Sequence, residues 1–500
     1  MKKLIRTVII LLICAYLTAC NDDIAEEYIP FIVVQDYVYD FSDDMVNIER
    51  RLPFIFEQSP VYDFSNDAAE AIAFVEAIHP NFIFEGRMCL EEYESFREIY
   101  LAATANPMTH TEFTLATQRF LTVFNDGHLS RTFLMVEQLP EEGFVFETTL
   151  FQDGDFIENY FLARGDRLFL ADDNFIITET EVLAIGSVPV ADIFAVIDYY
   201  FGAYNNAGVQ RARGRYARYQ LMLQLAGAEM FIYNECLVVD MIILENGIES
   251  VIETGFTSLH PTSYRLPDFL PAYDQRWSII DGDVFYISIR SLIPGTDLFV
   301  LQEDIRRATD SGIHNFIIDL RNAPGGNPSI INYIVDAMGT TLPGHGKFMR
   351  IPDAHREHFE MFYPPPHLWR YFGHLTSEDF AGRDYVYVPR NLNQSSNPND
   401  VFIVALTSER TFSGGTTIAV EIADSGFGKI IGEPSPTAPT GYGFGRQIIL
   451  PSSRLQIRPH YTFYLRPDID ADPNILWPDI HVNEWEALDA ALEFFQHLRY

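Results

Sequence analysis

Val401-Phe402-Ile403-Val404-Ala405-Leu406, followed after a polar turn by Thr411-Phe412-Ser413-Gly414-Gly415-Thr416, is the stretch on which the fold turns. Six apolar residues without interruption suit a strand buried on both faces of a sheet, and Ser413 to Ala423 suits a helix behind it. A serine at that junction projects from the end of the sheet, beside the unpaired N–H groups of the first helical turn. Gly414 removes side-chain bulk where a tetrahedral oxyanion has to sit. The ordinary reading of such a serine is a helix N-cap, and this feature alone does not displace it.

Working outward, Asn315-Phe316-Ile317-Ile318-Asp319-Leu320 repeats the strand. Behind it come Arg321-Asn322-Ala323-Pro324-Gly325-Gly326 and a helix over 329–338. Paired glycines let a backbone approach a ligand closely, so Gly325 or Gly326 offers a second oxyanion donor beside the Gly414 N–H. Asp319 and Arg321 are expected to hold the loop together rather than act on substrate. Val284 to Ile289 reads as a further strand and 297–308 as a helix, and 484–497 is an amphipathic closing helix. Residues 273–500 therefore read as an α/β section.

Upstream, helical periodicity begins at Asp67, with Ser65 or Asp67 as cap, and ends at His79-Pro80. Further helices are expected over 90–103 and 111–124, making 61–130 a helical domain that closes on Asn125-Asp126-Gly127-His128. Residues 131–272 read as a mixed α+β module or lid. Within it, strands are expected near 143–147, 167–170 and 181–190, a helix over 191–201 and a long helical stretch over 206–233. A hairpin is expected to turn at Asn246-Gly247.

The 500 residues carry 70 acidic and 34 basic side chains, a formal charge of −36, which repels nucleic acid rather than attracting it. Lys2, Lys3 and Arg6 precede an apolar run too short to span a membrane comfortably, and the run ends in Leu17-Thr18-Ala19-Cys20. This resembles the lipobox of bacterial lipoproteins. It implies a signal peptide over 1–19, a lipid on Cys20, a tether over 20–60 and an extracytoplasmic, membrane-anchored protein in a bacterium. With Cys14 and Cys20 so assigned, Cys89 and Cys236 form the one possible internal disulfide or remain separate thiols. No cysteine or histidine spacing suits a metal.

A serine nucleophile needs a base that titrates near neutrality, and among 13 histidines His128 stands in a tight acidic-glycine turn. Taken together, these motifs resemble peptidase family S41, the tail-specific or C-terminal processing proteases. The chain shows His79-Pro80-Asn81, Asp126-Gly127-His128, Asp319-Leu320-Arg321-Asn322 with Gly325-Gly326, Thr411-Phe412-Ser413, Gly432-Glu433-Pro434, Leu450-Pro451-Ser452-Ser453, Arg466-Pro467-Asp468 and Trp477-Pro478-Asp479, in the family's order.

The resemblance implies a crotonase-like core of repeated ββα units and Ser413 as nucleophile, with Gly414 and Gly325 or Gly326 forming the oxyanion hole. Ala438 occupies the region where the lysine of a serine–lysine dyad falls, and Lys429 reads as a strand residue. The histidine-using, tricorn-like branch is therefore the nearer match, with His128 as base and Asp472, or second Asp470, orienting it. The implied activity is endopeptidase action through an acyl-enzyme, on peptide or protein substrates and with no metal or organic cofactor. The same chemistry serves an esterase or amidase, and the fold also suits an idle binding protein.

Overall fold

The computed structural model describes residues 60–82, 90–126, 156–157, 160–171, 177–201, 206–233, 236–257, 276–290, 292, 298–350, 385–388 and 395–498. Cys20, Cys89, His128 and the strand expected near 143–147 lie outside them.

The helical domain starts with strand β1 (Val61–Tyr62) and helix α1 (Ser65–Ile78), followed by α2 (Leu90–Ala103), β2 (Met108–Thr109) and α3 (His110–Leu121). Ala68, Ala71, Ile72, Val75 and Ile78 form the buried stripe of α1, at the three- and four-residue spacing that a helix needs to face a core. The helix ends at His79, whose extended backbone is the conformation a following proline demands. Neither expected residue caps α1. Ser65 lies inside the helix, the N-cap position belongs to Phe64, and Asp67 is turned inward. By contrast, α3 carries a full capping box between Thr109 and Glu112.

The middle module is an antiparallel sheet. Its main strands are β3 (Tyr160–Arg164), β4 (Arg167–Ala171), β5 (Ile177–Ile185), β6 (Cys236–Glu245) and β7 (Ile248–Thr257), in the spatial order β7-β6-β5-β4-β3. Asn246 and Gly247 make the two-residue turn between β6 and β7, both at positive φ (52° and 75°), as a type I′ hairpin requires. Helix α4 (Val190–Phe201) packs on this sheet. The long helix expected over 206–233 is instead α5 (Asn206–Tyr216), α6 (Gln220–Leu225) and a short strand over 231–233. Tertiary contacts break it: Arg218 donates two guanidinium bonds to the Ile157 carbonyl, at 3.0 and 2.7 Å, and Ile157 N–H donates to the Arg218 carbonyl at 3.0 Å.

The α/β section contains β8 (Arg276–Ile280), β9 (Val284–Ser288), α7 (Leu298–Asp310), β10 (Asn315–Asp319), α8 (Ile330–Ala337), β11 (Gly346–Arg350), β12 (Tyr385–Val388) and β13 (Phe402–Thr407). These are followed by α9 (Gly414–Ala423), β14 (Gly428–Gly432), β15 (Gly441–Gly445), β16 (His460–Leu465), β17 (Ile480–His481) and α10 (Ala487–Leu498). The principal sheet runs β8-β9-β10-β13-β14-β17, antiparallel at β8–β9 and parallel thereafter.

Alternation of side chains explains the unbroken apolar run. Ile403 and Ala405 join a core with α7, α8 and α9, whereas Val404 and Leu406 face Ala487, Ala491 and Phe495 of α10. A second sheet, β12-β11-β16-β15, lies beside it. Leu450, Leu455 and Ile457 complete the core of the helical domain, so that domain does not close on itself.

Candidate active site

Ser413 sits where the sequence places it, between β13 and α9, but not as a cap. Its side chain makes no capping bond, and its backbone is held at φ 52°, ψ −115°. Such a conformation costs about 1–3 kcal/mol for a residue with a Cβ, and the surroundings must impose it. They do so visibly. The Ser413 N–H donates to Thr437 Oγ1 at 2.8 Å, and its carbonyl accepts from Thr417 N–H at 3.0 Å.

The loops after β10 and β13 are laced together. Thr411 Oγ1 donates to the Leu320 carbonyl at 2.9 Å, Ser408 Oγ to the Arg321 carbonyl at 2.6 Å, and Phe412 N–H to the Ala323 carbonyl at 2.9 Å. Gly325 and Gly326 both have positive φ, 107° and 124°. A Cβ on Gly325 would fall 2.8 Å from Ser413 Cβ and 3.4 Å from Ser413 Oγ, so this loop lies directly against the serine side chain. A Cβ on Gly414 would fall 2.5 Å from the Gly326 carbonyl oxygen. Ser413 and the three glycines expected beside it, Gly414, Gly325 and Gly326, thus lie in one place. Thr437 takes the Ser413 N–H, so that donor is already engaged.

Asp319 and Arg321 do hold that loop. Arg321 donates to both Asp319 oxygens, at 2.9 and 2.6 Å, and to the Glu484 carbonyl at 2.6 Å, while Tyr286 Oη donates to Asp319 at 2.7 Å. Lys429 is a β14 residue paired with Asp479 at 2.6 Å.

Asp472 accepts the N–H groups of Asn474 and Ile475, at 2.8 and 3.3 Å, and the Trp477 indole N–H at 3.2 Å. Partial burial pushes its carboxyl up. These hydrogen bonds and the Arg466 charge outweigh that and leave it below the usual carboxylate range. Its turn is tied back toward Ser413, since Pro473 accepts the N–H of Thr440, three residues beyond Thr437. Asp470 is exposed.

One cluster joins two of the quoted motifs to a residue that the sequence does not single out, His460. Asp126, the residue two before His128, is buried and 2.5 Å from His460 Nδ1 on β16, with His79 Nε2 at 3.9 Å from the same carboxylate oxygen. Burial drives His79 down to about 3, with Asp126 opposing that shift and His460 and Arg350 adding to it, so the ring stays neutral. Around this cluster Tyr442 Oη donates to Asn81 Oδ1 at 2.8 Å, and Arg350 donates to the carbonyls of Glu76 and His79 at 2.5 and 2.8 Å. Asp67, also fully buried, accepts the N–H groups of Ser452 and Ser453 at 3.0 and 2.6 Å. The helical domain is therefore fixed to the α/β section through Asp67, Asn81 and Asp126.

Among solved structures, the chain resembles mature CPAF complexed with lactacystin at a TM-score of 0.58 and 13% identity, covering 87% of this chain and 97% of that one. Mature CPAF alone gives 0.53 and 12%, covering 87% and 95%. The photosystem II D1 C-terminal processing protease gives 0.43 and 12%, covering 85% and 94%. No curated protein matches the chain in sequence. The two CPAF structures share its overall fold, and residues 283–468, which include β10, the paired glycines, Ser413 and α9, match the model of peptidase family S41. Over that segment the chain is similar to peptidase family S41, a family of serine peptidases.

Proposed function

We propose that the chain is a serine endopeptidase working through an acyl-enzyme on Ser413. The observation that carries this reading is the strained Ser413 backbone with the Gly325-Gly326 loop pressed against its side chain. His128 takes the Ser413 hydroxyl proton as Oγ attacks a peptide carbonyl, and the oxyanion forms against the N–H groups of Gly414 and of Gly325 or Gly326. Protonated His128 then gives its proton to the leaving amine, and water cleaves the acyl-enzyme. Asp472 orients His128. It is favoured over Asp470 because its carboxylate is fixed by three donors in a turn hydrogen-bonded to residue 440. We further propose that a lipid on Cys20 holds the protein at the outer side of a membrane, which Cys20→Ser would abolish as loss from the membrane fraction.

The test is covalent labelling of the full-length chain with a fluorophosphonate probe. Wild type is expected to label, and both Ser413→Ala and His128→Ala to lose labelling. Undiminished labelling of Ser413→Ala would show that another serine reacts.

A further inference from the structure

The strain at Ser413 is imposed by two loops, and both rest on a carboxylate. Glu409 lies in the turn after β13, four residues before Ser413. Glu433 follows β14, four residues before Thr437, whose hydroxyl holds the Ser413 N–H. The two loop bases are stitched together, for Thr407 Oγ1 donates to the Glu433 carbonyl at 2.7 Å and Glu433 N–H donates to the Thr407 carbonyl at 3.0 Å. Two carboxylates so placed repel each other, and both are buried.

The guanidinium that answers them comes from the middle module. Arg164, the last residue of β3, places Nη1 2.6 Å from Glu409 and Nη2 3.0 Å from Glu433. Nearby Arg410 is committed to both oxygens of Glu484, at 3.0 and 2.5 Å, and to Asn322 Oδ1 at 2.8 Å. Even beside Arg164, burial holds Glu433 up at about 7, and Glu409 and Glu484 add to that while Arg410 opposes it.

Arg164 is delivered by a fixed support. The β3–β4 hairpin turns at Gly165, and Arg213 on α5 donates to the Gly165 carbonyl and to Asp166, both at 3.0 Å, while also holding Asp198. On the receiving side the path from Glu433 is short and stiff. Pro434 and Pro436 restrict it, and Ser435 Oγ donates to the Thr411 carbonyl at 2.9 Å. A displacement at residue 433 therefore reaches Thr437, and with it the serine backbone.

We propose that Arg164 is a positioning residue through which the middle module holds Ser413 in its reactive conformation. The proposal rests on Ser413 being the nucleophile. Its structural half is tested independently of turnover.

Amide hydrogen exchange of the full-length chain is compared among wild type, Arg164→Met and Arg164→Met/Glu433→Gln, alongside fluorophosphonate labelling rates. Arg164→Met leaves the two carboxylates without the guanidinium that bridges them. Exchange over 408–415 and 433–440 is expected to rise at least tenfold, with α7 unchanged, and labelling to fall at least tenfold. Glu433→Gln removes the repulsion and supplies a donor to Glu409, so the double variant is expected to return to within about threefold of wild type in both readouts. Unchanged exchange in Arg164→Met, wild-type labelling by it, or a double variant as impaired as the single would overturn the proposal. If exchange responds as expected while wild type and Ser413→Ala behave alike toward the probe, the clasp stands and the nucleophile assignment falls.

Discussion

Replacing Gly325 by alanine is the sharpest perturbation of the site. A Cβ there meets Ser413 Cβ at 2.8 Å and the Phe412 carbonyl oxygen at 3.1 Å, against about 3.8 Å for comfortable carbon contact. One of the two loops has to retreat by about 1 Å, and a misplacement of that size at a reacting group costs roughly 100-fold in rate. The φ of +107° adds backbone strain of about 1–3 kcal/mol.

Gly312 separates these effects. It has φ +93°, and its added Cβ would meet nothing within 4 Å. Gly312→Ala should lower stability by a similar amount and leave fluorophosphonate labelling of Ser413 within about twofold of wild type. Gly325→Ala should label about 100-fold more slowly at a protein concentration and temperature where both variants are folded. Equal labelling rates for the two variants would refute the reasoning, because the glycine loop would then not constrain the serine.

Two further predictions concern the seam between the helical domain and the α/β section. Asp67→Ala strands the N–H groups of Ser452 and Ser453, and should lower unfolding free energy by about 2–4 kcal/mol, with Asp67→Asn losing roughly half as much; a loss below about 1 kcal/mol in urea titration would show that the bonds contribute little. His79 is held down at about 3 against an ordinary 6.5, so the unfolded chain protonates first and stability is lost as pH falls through that window. His79→Gln should flatten the dependence of the urea midpoint between pH 6.5 and 5; an unchanged slope would mean that His79 does not titrate on unfolding.

The parts of the molecule legible in sequence are those whose cause is local. The run from Val401 to Leu406 announces a strand covered on both faces because Ile403 and Ala405 need one apolar layer and Val404 and Leu406 another. Asn246-Gly247 announces its turn because both residues tolerate positive φ. The placement of Ser413 and the paired glycines is legible because a strand–serine–helix junction and a glycine pair are local signals. Asp126, Arg164 and Thr437 are not, since their partners lie at His460, at Glu409 and Glu433, and at the Ser413 backbone, where no periodicity links them. The segment over 206–233 misleads for the same reason, as the contact of Arg218 with Ile157 overrides a locally helical pattern.

The seam also has a consequence for how the chain comes into being. Asp126 and His460 are 334 positions apart, and at roughly 5–20 residues per second a ribosome delivers the second roughly 15–70 s after the first. Through that interval the apolar face that α1, α2 and α3 share with Leu450, Leu455 and Ile457 has no permanent cover. The nascent chain therefore carries Ser413 before it can hold the helical domain in place, because the strand of the second sheet that bears His460 is made later.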